Sequence, residues 1–178
     1  MKDNKLVDLK KAFKGKKVFI TGHTGFKGTW MSFLLSELGA EVTGYALEPV
    51  NEKNHFDLLG MRDRIRHVKG DILNSNFLRE SMEASQPEYV FHLAAQALVR
   101  PAYRDPVGTF STNVIGSANL LESVRFTKSV KSLIYVTSDK CYENLEWIWG
   151  YRETDTLGGR DPYSASKAAA EILFSSYN

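Results

Sequence analysis

Five short apolar runs alternate along this chain with stretches of helical periodicity, and this alternation constrains the fold more than any other feature of the sequence. The runs are Lys16–Thr21, Glu41–Leu47, Ile65–Gly70, Glu88–Ala94 and Ser132–Thr137. Their length and their content of β-branched and aromatic residues are typical of strands buried in a parallel sheet. Helical patterns over Phe26–Leu38, Asn74–Ala84 and Thr109–Phe126, and a short irregular segment near Phe56–Leu59, separate the runs. Right-handed crossovers then predict an α/β fold with a doubly wound parallel sheet, a Rossmann-type domain over residues 1–178.

Composition agrees with one globular domain. The 178 residues are 43% apolar and 25% charged, which excludes fibrous and disordered classes. The single Cys141 excludes an internal disulfide, and a packed core thiol is expected. No apolar run approaches the ~20 residues of a membrane span, and no signal-peptide core begins the chain, so a cytoplasmic protein is expected. The helical pattern of residues 168–178 contains no Gly or Pro, which predicts a helix that continues in a longer protein.

Charge and histidine spacing indicate neither nucleic acid nor a metal as a partner. The net charge is +2, and the first 17 residues hold seven Lys against two Asp. Lysines around Leu6, Leu9 and Phe13 at helical spacing predict the solvated face of a leading helix rather than a phosphate-binding patch. The four histidines, His23, His55, His67 and His92, show no paired spacing of metal ligands, so no metal is predicted.

The first strand is followed at once by a glycine-rich turn, Thr21–Gly28 (TGHTGFKG), and then by a helical pattern. Gly22, Gly25 and Gly28 allow a tight turn, close approach of a pyrophosphate and close packing of helix on strand. The helix N-terminus then offers free N–H groups to phosphates. The turn therefore predicts a dinucleotide site, and the alternative is an ordinary βα turn.

Acidic residues follow the second and third strands. Glu48 lies twenty residues after Gly28, where a dinucleotide site places the carboxylate that binds the ribose hydroxyls. No Arg stands near it in the sequence to accept a 2′-phosphate, which favours NAD over NADP. Asp71 and Ile72 are expected to flank the adenine. The alternatives are a solvated loop acid for Glu48 and a helix cap for Asp71.

Tyr163 and Lys167 lie four residues apart where the last helical pattern begins, which places them on one helix face. The pKa of free tyrosine is near ~10, and a cation within ~4–6 Å lowers such a value by ~1–3 units. Tyr163 is thus a candidate to exchange a proton with a sugar or alcohol hydroxyl.

These motifs, in this order, resemble a known superfamily across essentially the whole chain. The strings are TGHTGFKG, HLAAQ, STNVIGSANLLE, VTSDKCY and PYSASK, and the superfamily is that of the extended short-chain dehydrogenases/reductases, the NAD-dependent epimerases and dehydratases. Within it, GHTGFKGTW, AAQALVRPAY, SDKCYEN and YRETDTLGGRDPYSASK are similar to the subfamily of 4,6-dehydratases that act on CDP-glucose.

The resemblance implies a lyase with permanently bound NAD that makes a 4-keto-6-deoxy sugar nucleotide for deoxysugar and polysaccharide biosynthesis, such as that of O-antigen. Tyr163 would take the proton of the 4-hydroxyl while C4 gives hydride to NAD, and Lys167 would hold the nicotinamide ribose. Water then leaves from C5 and C6, and the hydride returns to C6. The cofactor contacts would also include Thr24, Phe26 and Ala94. A homodimer or homotetramer is expected for the full-length protein.

The elimination needs an acid and a base, and the resemblance places Ser138, Asp139 and Lys140 at the end of the fifth strand for it. Ser138 would bind the sugar 4-oxygen and Asp139 would protonate the leaving 6-hydroxyl. Related dehydratases carry Glu where this chain has Lys140, so Lys140 is either an amine base at C5 or a cation that stabilises the enolate.

Five further residues are weaker candidates. Gln96 and Arg100 follow the fourth strand and are expected to line the sugar pocket, and Asn113 either holds structure near the active site or is a locally bonded helix residue. Trp147 and Trp149 lie in the long connection from Tyr142 to Pro162 and either clamp a base or sugar or pack under the loop. Two alternatives to a CDP-glucose dehydratase remain open. The chain is either part of another nucleotide-sugar dehydratase or epimerase, or a dinucleotide-binding fragment that is inactive alone.

Overall fold

Five parallel strands form one sheet in the order β3-β2-β1-β4-β5. The computed structural model describes the backbone of residues 2–177 and the side chains of residues 7–177. The strands are β1 Lys17–Thr21, β2 Glu41–Ala46, β3 Arg66–Lys69, β4 Tyr89–His92 and β5 Ser132–Tyr135. The chain moves outward from β1 to β3 and then returns to add β4 and β5 on the other side. The predicted doubly wound sheet is confirmed, and the strands are shorter than the apolar runs because pairing stops before the runs end.

Helices connect the strands, although not all with the predicted bounds. They are α1 Lys2–Phe13, α2 Phe26–Glu37, α3 His55–Leu58, α4 Met61–Arg64, α5 Ser75–Ser85, α6 Val99–Arg104, α7 Pro106–Phe110, α8 Gly116–Phe126 and α9 Pro162–Ser175. The segment predicted as one helix over Thr109–Phe126 contains a π-helical turn, Ser111–Ile115, between α7 and α8. The irregular segment near Phe56 consists of the two single-turn helices α3 and α4.

The last helix ends earlier than the sequence pattern predicts. α9 stops at Ser175, and the Ser176 hydroxyl donates to the Leu173 carbonyl at 2.6 Å. The prediction that the helix runs through the end of the chain is therefore wrong.

The core lies on both faces of the sheet. Val18 and Ile20 of β1 pack with Leu35 of α2 on one face. Phe19, between them in sequence, packs with Leu78 and Leu120 on the other face, because successive strand side chains point to opposite sides. Burial on both faces is why the strands read as continuous apolar runs.

The long connection before α9 is held by its own contacts. An isolated antiparallel bridge joins Tyr142 to Leu157, and the rings of Tyr142 and Tyr151 stack at 5.5 Å between centroids. Cys141, just before it, is buried as predicted, and burial raises the pKa of its thiol. Across the described residues, no helix has the length and apolar character needed to cross a membrane.

Candidate active site

A cavity of about 570 Å³ opens at the carboxyl ends of the central strands. Its lining residues are Gly22, Thr24, Gly25, Phe26, Lys27, Gly28, Ala46, Leu47, Gly70, Asp71, Ile72, Leu93, Ala94, Ala95, Ala97, Thr112, Val136, Thr137, Tyr163 and Lys167. The residues predicted to contact the cofactor all line this cavity, with the exception of Glu48. Ligands of doubly wound sheets bind at this edge, where the chain reverses the order of its strands.

The glycine turn is shaped by close backbone approaches. Gly22 has a φ of +74°, and a Cβ there would lie 2.6 Å from the backbone nitrogen of Ala94. A Cβ on Gly28 would lie 2.0 Å from the carbonyl oxygen of Gly22. Gly25 is the N-cap of α2 and supplies no capping side chain, so the first N–H groups of α2 stay available to a ligand. The turn thus has the packing that the glycine spacing predicts.

Glu48 lies just outside the cavity lining, next to Leu47. Its carboxylate accepts from Arg62 Nη2 at 2.8 Å, and its Oε1 lies 3.3 Å from His67 Nε2. These two hydrogen bonds hold the pKa of Glu48 below its usual value. The expectation that no Arg stands near Glu48 is therefore wrong, because α4 brings an Arg fourteen residues further along the chain against the end of β2. The ribose contact of Glu48 stays a prediction.

Asp71 faces the cavity and does not cap a helix. Its Oδ1 accepts from the backbone of Leu73 at 2.9 Å, while the N-cap of α5 is Asn74, which accepts from Phe77 at 3.2 Å. Tyr45 donates its hydroxyl to the Asp71 carbonyl at 2.9 Å. The helix-cap alternative for Asp71 is thus excluded, and its contact with the adenine stays a prediction.

Tyr163 and Lys167 lie on the first turns of α9 and both reach the cavity. Only 8% of Tyr163 and 7% of Lys167 are exposed. Asp161 caps this helix, since its Oδ1 accepts from the Ser164 backbone at 3.0 Å. Burial lowers the pKa of Lys167, and the carboxylate of Glu171 opposes that shift. The predicted tyrosine–lysine pair is therefore placed in the same cavity as the glycine turn.

Ser138, Asp139 and Lys140 come after β5 rather than at its last residues. Asp139 begins a short 3₁₀ turn, in which the Ser138 hydroxyl donates to Asp139 Oδ1 at 3.1 Å. Asp139 and Lys140 are exposed and line a second cavity of about 300 Å³, together with Arg160, Asp161 and others of the long connection. Asp161, which lines only the second cavity, also caps the helix that carries Tyr163. The two predicted sets are thus adjacent but face different cavities.

Gln96 and Arg100, which follow β4 and are expected to line the sugar pocket, differ from each other in their surroundings. Gln96 lies between two lining residues, Ala95 and Ala97, and its amide donates to the hydroxyl of Thr109 at 3.0 Å. Arg100 is exposed on α6 and lines neither cavity. Substrate contact by either residue stays a prediction.

Asn113 has a structural role near the cavity, which is one of the two alternatives that the sequence left open. It is 2% exposed in the π-helical turn, and its Oδ1 accepts from the Gln96 backbone at 2.8 Å. Its Nδ2 donates to the Gln96 carbonyl at 3.0 Å and to the hydroxyl of Ser166 on α9 at 2.8 Å. π turns occur often at functional sites, and this one ties the tyrosine helix to the loop after β4.

The sequence analysis did not predict Thr137 and Glu171, which lie near Lys167, or Thr112. Thr137 lines the cavity and donates its hydroxyl to Glu171, four residues after Lys167 on α9. The (i, i+4) spacing of Lys167 and Glu171 is a signal that was present in the sequence. Thr112 lines the cavity from the π-helical turn, which no local pattern predicts.

The two tryptophans of the long connection lie apart from the main cavity. Trp147 and Trp149 line a small cavity of about 270 Å³ with Arg152 and Asp155. Trp149 is 69% exposed, so it does not pack under the loop. Among the side chains of residues 7–177, no group of three His, Cys, Asp or Glu is arranged to hold a metal ion.

The sheet order and the glycine turn beside its switch point define the class of this protein: it has the Rossmann-like fold of nucleotide-binding domains. The sequence model of GDP-mannose 4,6 dehydratase matches residues 19–178. The chain therefore belongs to the GDP-mannose 4,6 dehydratase family, within the extended short-chain dehydrogenases/reductases.

Relatives agree with this assignment. The chain is 48% identical over 168 residues to CDP-glucose 4,6-dehydratase of Salmonella typhimurium, an alignment that covers 94% of this chain and 47% of that protein. It is 31% identical over 177 residues to CDP-paratose 2-epimerase of Salmonella typhi, with 90% and 52% covered. UDP-glucose 4-epimerase from Brucella ovis, solved in complex with NAD, superposes with a TM-score of 0.79 at 28% identity, with 92% and 48% covered. The chain spans about half the length of the curated relatives it matches.

Proposed function

We propose that residues 1–178 are the NAD-binding domain of a nucleotide-sugar 4,6-dehydratase that converts CDP-glucose to CDP-4-dehydro-6-deoxyglucose. The observation that carries this proposal is the placement of buried Tyr163 and Lys167 in the cavity of the glycine turn. The identity of 48% to a CDP-glucose 4,6-dehydratase supports the choice of substrate. The reaction would serve the biosynthesis of deoxysugars for polysaccharides such as O-antigen, in the cytoplasm.

The residues of the cavity fit a dinucleotide. Gly22 and Gly28 admit the backbone contacts that any Cβ would block, and the uncapped N-terminus of α2 suits a pyrophosphate. Asp71 and Ile72 lie at the adenine end, and the volume of about 570 Å³ lies within the range of ligand pockets, ~300–1,000 Å³. When bound, NAD supplies a hydride acceptor that is regenerated in the same reaction cycle.

Tyr163 is the group that removes the proton of the sugar 4-hydroxyl. Lys167 lies one helical turn away on the same side of α9, and its ammonium stabilises the phenolate that this role requires. The carboxylate of Glu171 favours the charged form of Lys167 against the cost of burial. The Asp161 cap fixes the start of the helix and so the position of the phenol ring.

Asp139 and Lys140 are the groups for the loss of water. Asp139 protonates the leaving 6-hydroxyl, and Ser138 binds the sugar 4-oxygen. Lys140 is exposed in this structure. In this proposal it is a cation that stabilises the enolate, and the C5 proton passes to water or to Tyr163 rather than to a lysine amine. The sugar would then lie between the main cavity, which Tyr163 lines, and the second cavity, which Asp139 and Asp161 line.

The test uses the full-length protein that contains this segment. Incubation with CDP-glucose and NAD should form a product with the ultraviolet absorbance of a 4-keto sugar, and Tyr163→Phe should abolish it because the phenol can no longer accept the proton. Tyr177→Phe, which removes only the hydrogen bond from the Tyr177 hydroxyl to Glu122, is the matched control and should retain activity. Activity that survives Tyr163→Phe removes Tyr163 from this role.

Two other functions are separated by binding and substrate choice. Because one relative is an epimerase, activity should be measured on a panel of CDP-, GDP-, dTDP- and UDP-sugars. Turnover of a sugar linked to another nucleotide would replace CDP-glucose as the proposed substrate. NAD titration of this chain with and without CDP-glucose tests the binding-module alternative. Binding of the cofactor without the sugar would support it for these 178 residues.

A homodimer or homotetramer is proposed for the full-length protein. Val107, Ile115 and Phe126 are exposed on the α7–α8 segment, and Ile172 is exposed on α9. Pairing of these faces between subunits would cover them. Sedimentation at several protein concentrations tests this, and a purely monomeric protein would contradict it.

A further inference from the structure

One helical turn beyond Lys167 on α9 lies a half-buried carboxylate, that of Glu171. Glu171 follows Lys167 by four residues and Tyr163 by eight, so the three side chains share one face of the helix. The Thr137 hydroxyl, at the wall of the main cavity, donates to Glu171 Oε1. Among the side chains of residues 7–177, no Lys, Arg or His forms an ion pair with Glu171. This carboxylate is thus held by a hydroxyl group rather than by a cation.

Thr137 begins the segment that leads from the main cavity to the second cavity. Thr137 lines the main cavity, whereas Asp139, two residues later, lines the second. Ser138 lies between them, and its hydroxyl accepts from the Lys140 backbone at 3.3 Å at the start of the 3₁₀ turn. The hydrogen bond from Thr137 to Glu171 therefore joins α9 to the segment that carries the candidate groups for the loss of water.

These two segments need a fixed relative position because one sugar passes through two steps. In the proposed reaction, C4 first loses the proton of its hydroxyl to Tyr163 and a hydride to the cofactor. The sugar then loses water from C5 and C6, with Asp139 as the acid. Catalytic groups act well only within about 0.5 Å of the productive geometry. The connection between the two segments, residues 142–161, consists mostly of exposed residues, so direct contacts such as that of Thr137 must hold them together.

The charge of Glu171 also acts on Lys167. Burial lowers the pKa of Lys167, which is only 7% exposed. Lys27, on the first turn of α2, lines the same cavity and lowers that pKa further, whereas Glu171 raises it. His92 on β4 is neutral, because burial and the charge of Lys167 lower its pKa to about 3. Glu171 thus favours the ammonium that a phenolate at Tyr163 requires.

Three further titratable groups surround Glu171, and none of them is charged near pH ~7. They are Tyr135 of β5, the thiol of Cys141 and Tyr142. Burial raises the pKa of each group, and the charge of Glu171 adds to the rise. The charge of Glu171 therefore reaches Lys167 without compensation from these neighbours.

We propose that Glu171 is a positioning residue of the dehydratase reaction. Held by Thr137, it keeps the tyrosine–lysine pair of α9 in register with Ser138 and Asp139. Its charge keeps Lys167 in the ammonium form. This inference rests on the proposed function, and it assigns to Glu171 no contact with substrate or cofactor. Loss of the hydrogen bond should slow the loss of water more than the oxidation at C4, because the pair for the oxidation lies wholly on α9.

Two substitutions in the full-length protein that contains this segment separate the hydrogen bond from the charge. Thr137→Val removes the donor and leaves the carboxylate. Reduced cofactor should then accumulate during turnover of CDP-glucose, measured as the absorbance of reduced nicotinamide, and kcat should fall about tenfold with little change in KM. Glu171→Gln keeps an acceptor and removes the charge. The basic limb of its pH–rate profile should move by about one unit to lower pH, because Lys167 then loses its proton more easily.

Two further variants serve as controls. Thr137→Ser keeps the hydroxyl and should restore the wild-type ratio of reduced cofactor to product. Thr127→Val also removes one hydroxyl hydrogen bond, that to the Ser123 carbonyl at 2.7 Å, but it lies at the end of α8 and lines neither cavity. It should lower stability without accumulation of reduced cofactor. Circular dichroism checks that each variant is folded.

The possible outcomes separate this inference from the proposed function. If the wild-type protein turns over CDP-glucose but Thr137→Val accumulates no reduced cofactor, the positioning role is overturned and the dehydratase stands. The same follows if Thr127→Val accumulates as much, or if the basic limb stays in place in Glu171→Gln. If the folded wild-type protein turns over no nucleotide sugar, the proposed function fails and the inference fails with it.

Discussion

The buried His92 predicts how the stability of this domain depends on pH. Its Nδ1 lies 2.6 Å from the Thr21 hydroxyl and its Nε2 lies 3.1 Å from the Ser117 hydroxyl, so the ring joins β1, β4 and α8 below the cavity. Burial lowers the pKa of His92 to about 3, with a further contribution from the charge of Lys167. The ring is therefore neutral in the folded protein at any pH well above 3.

The sign and size of this pH dependence follow from the difference between the pKa of His92 in the folded and in the unfolded state. The unfolded chain takes up a proton near the ordinary histidine pKa of 6.5, whereas the folded chain does so only near 3. The contribution of the neutral His92 to the free energy of unfolding is thus fully present well above pH ~6.5, and it is lost as the pH falls below that value. Between pH ~7.5 and pH ~5.5 this one group lowers the free energy of unfolding by about 1.4 kcal/mol. His23, whose pKa is also lowered to about 3, contributes a similar amount.

Urea unfolding, followed by circular dichroism at pH ~7.5, ~6.5 and ~5.5, measures this dependence. His92→Gln lowers stability at every pH, but the loss between the highest and lowest pH should be smaller than in the wild-type protein by about 1.4 kcal/mol. His55→Gln, at an exposed position, is the matched control and should leave the slope unchanged. The carboxyl groups titrate mostly below this window. Equal slopes for His92→Gln and the wild-type protein would refute the reasoning.

Substitutions at three further positions test the site. Gly28→Ala places a Cβ 2.0 Å from the Gly22 carbonyl, so we expect a loss of at least about 1–3 kcal/mol in urea unfolding and no detectable NAD binding by calorimetry; wild-type affinity would contradict this packing. Asn113→Ala leaves the backbone groups of Gln96 without partners and should cost about 1–3 kcal/mol in urea unfolding, while a loss below ~0.5 kcal/mol would show that water replaces the side chain. Asp161→Ala removes the cap of the tyrosine helix and should cost about 1 kcal/mol in thermal unfolding, whereas Asp161→Asn, which keeps an acceptor, should cost less.

Local patterns were enough to predict much of the fold. The strands follow from apolar runs of fixed length, and the glycine turn follows from its position between the first strand and the first helix. Tyr163 and Lys167 share a face of α9 because residues four apart do so on any helix. In each case the residues that decide the structure lie within a few positions of one another.

Interactions between distant residues were not predictable in the same way. The π-helical turn at Asn113 depends on hydrogen bonds to Gln96 and Ser166, the latter 53 residues away. A helical periodicity contains no information about such partners, so Thr109–Phe126 reads as one continuous helix. Thr112, Thr137 and Glu171 were not predicted for the same reason, because their places at the site depend on contacts between distant parts of the chain.

The sequence by itself determined the class of fold, the glycine turn and the tyrosine–lysine pair, because periodicity and short spacings encode them locally. Only the tertiary structure decided that Arg62 and His67 meet Glu48, and that Asp139 and Lys140 face a cavity next to that of Tyr163. Those contacts depend on how β2 and β3 pair and on where α4 and the long connection pack.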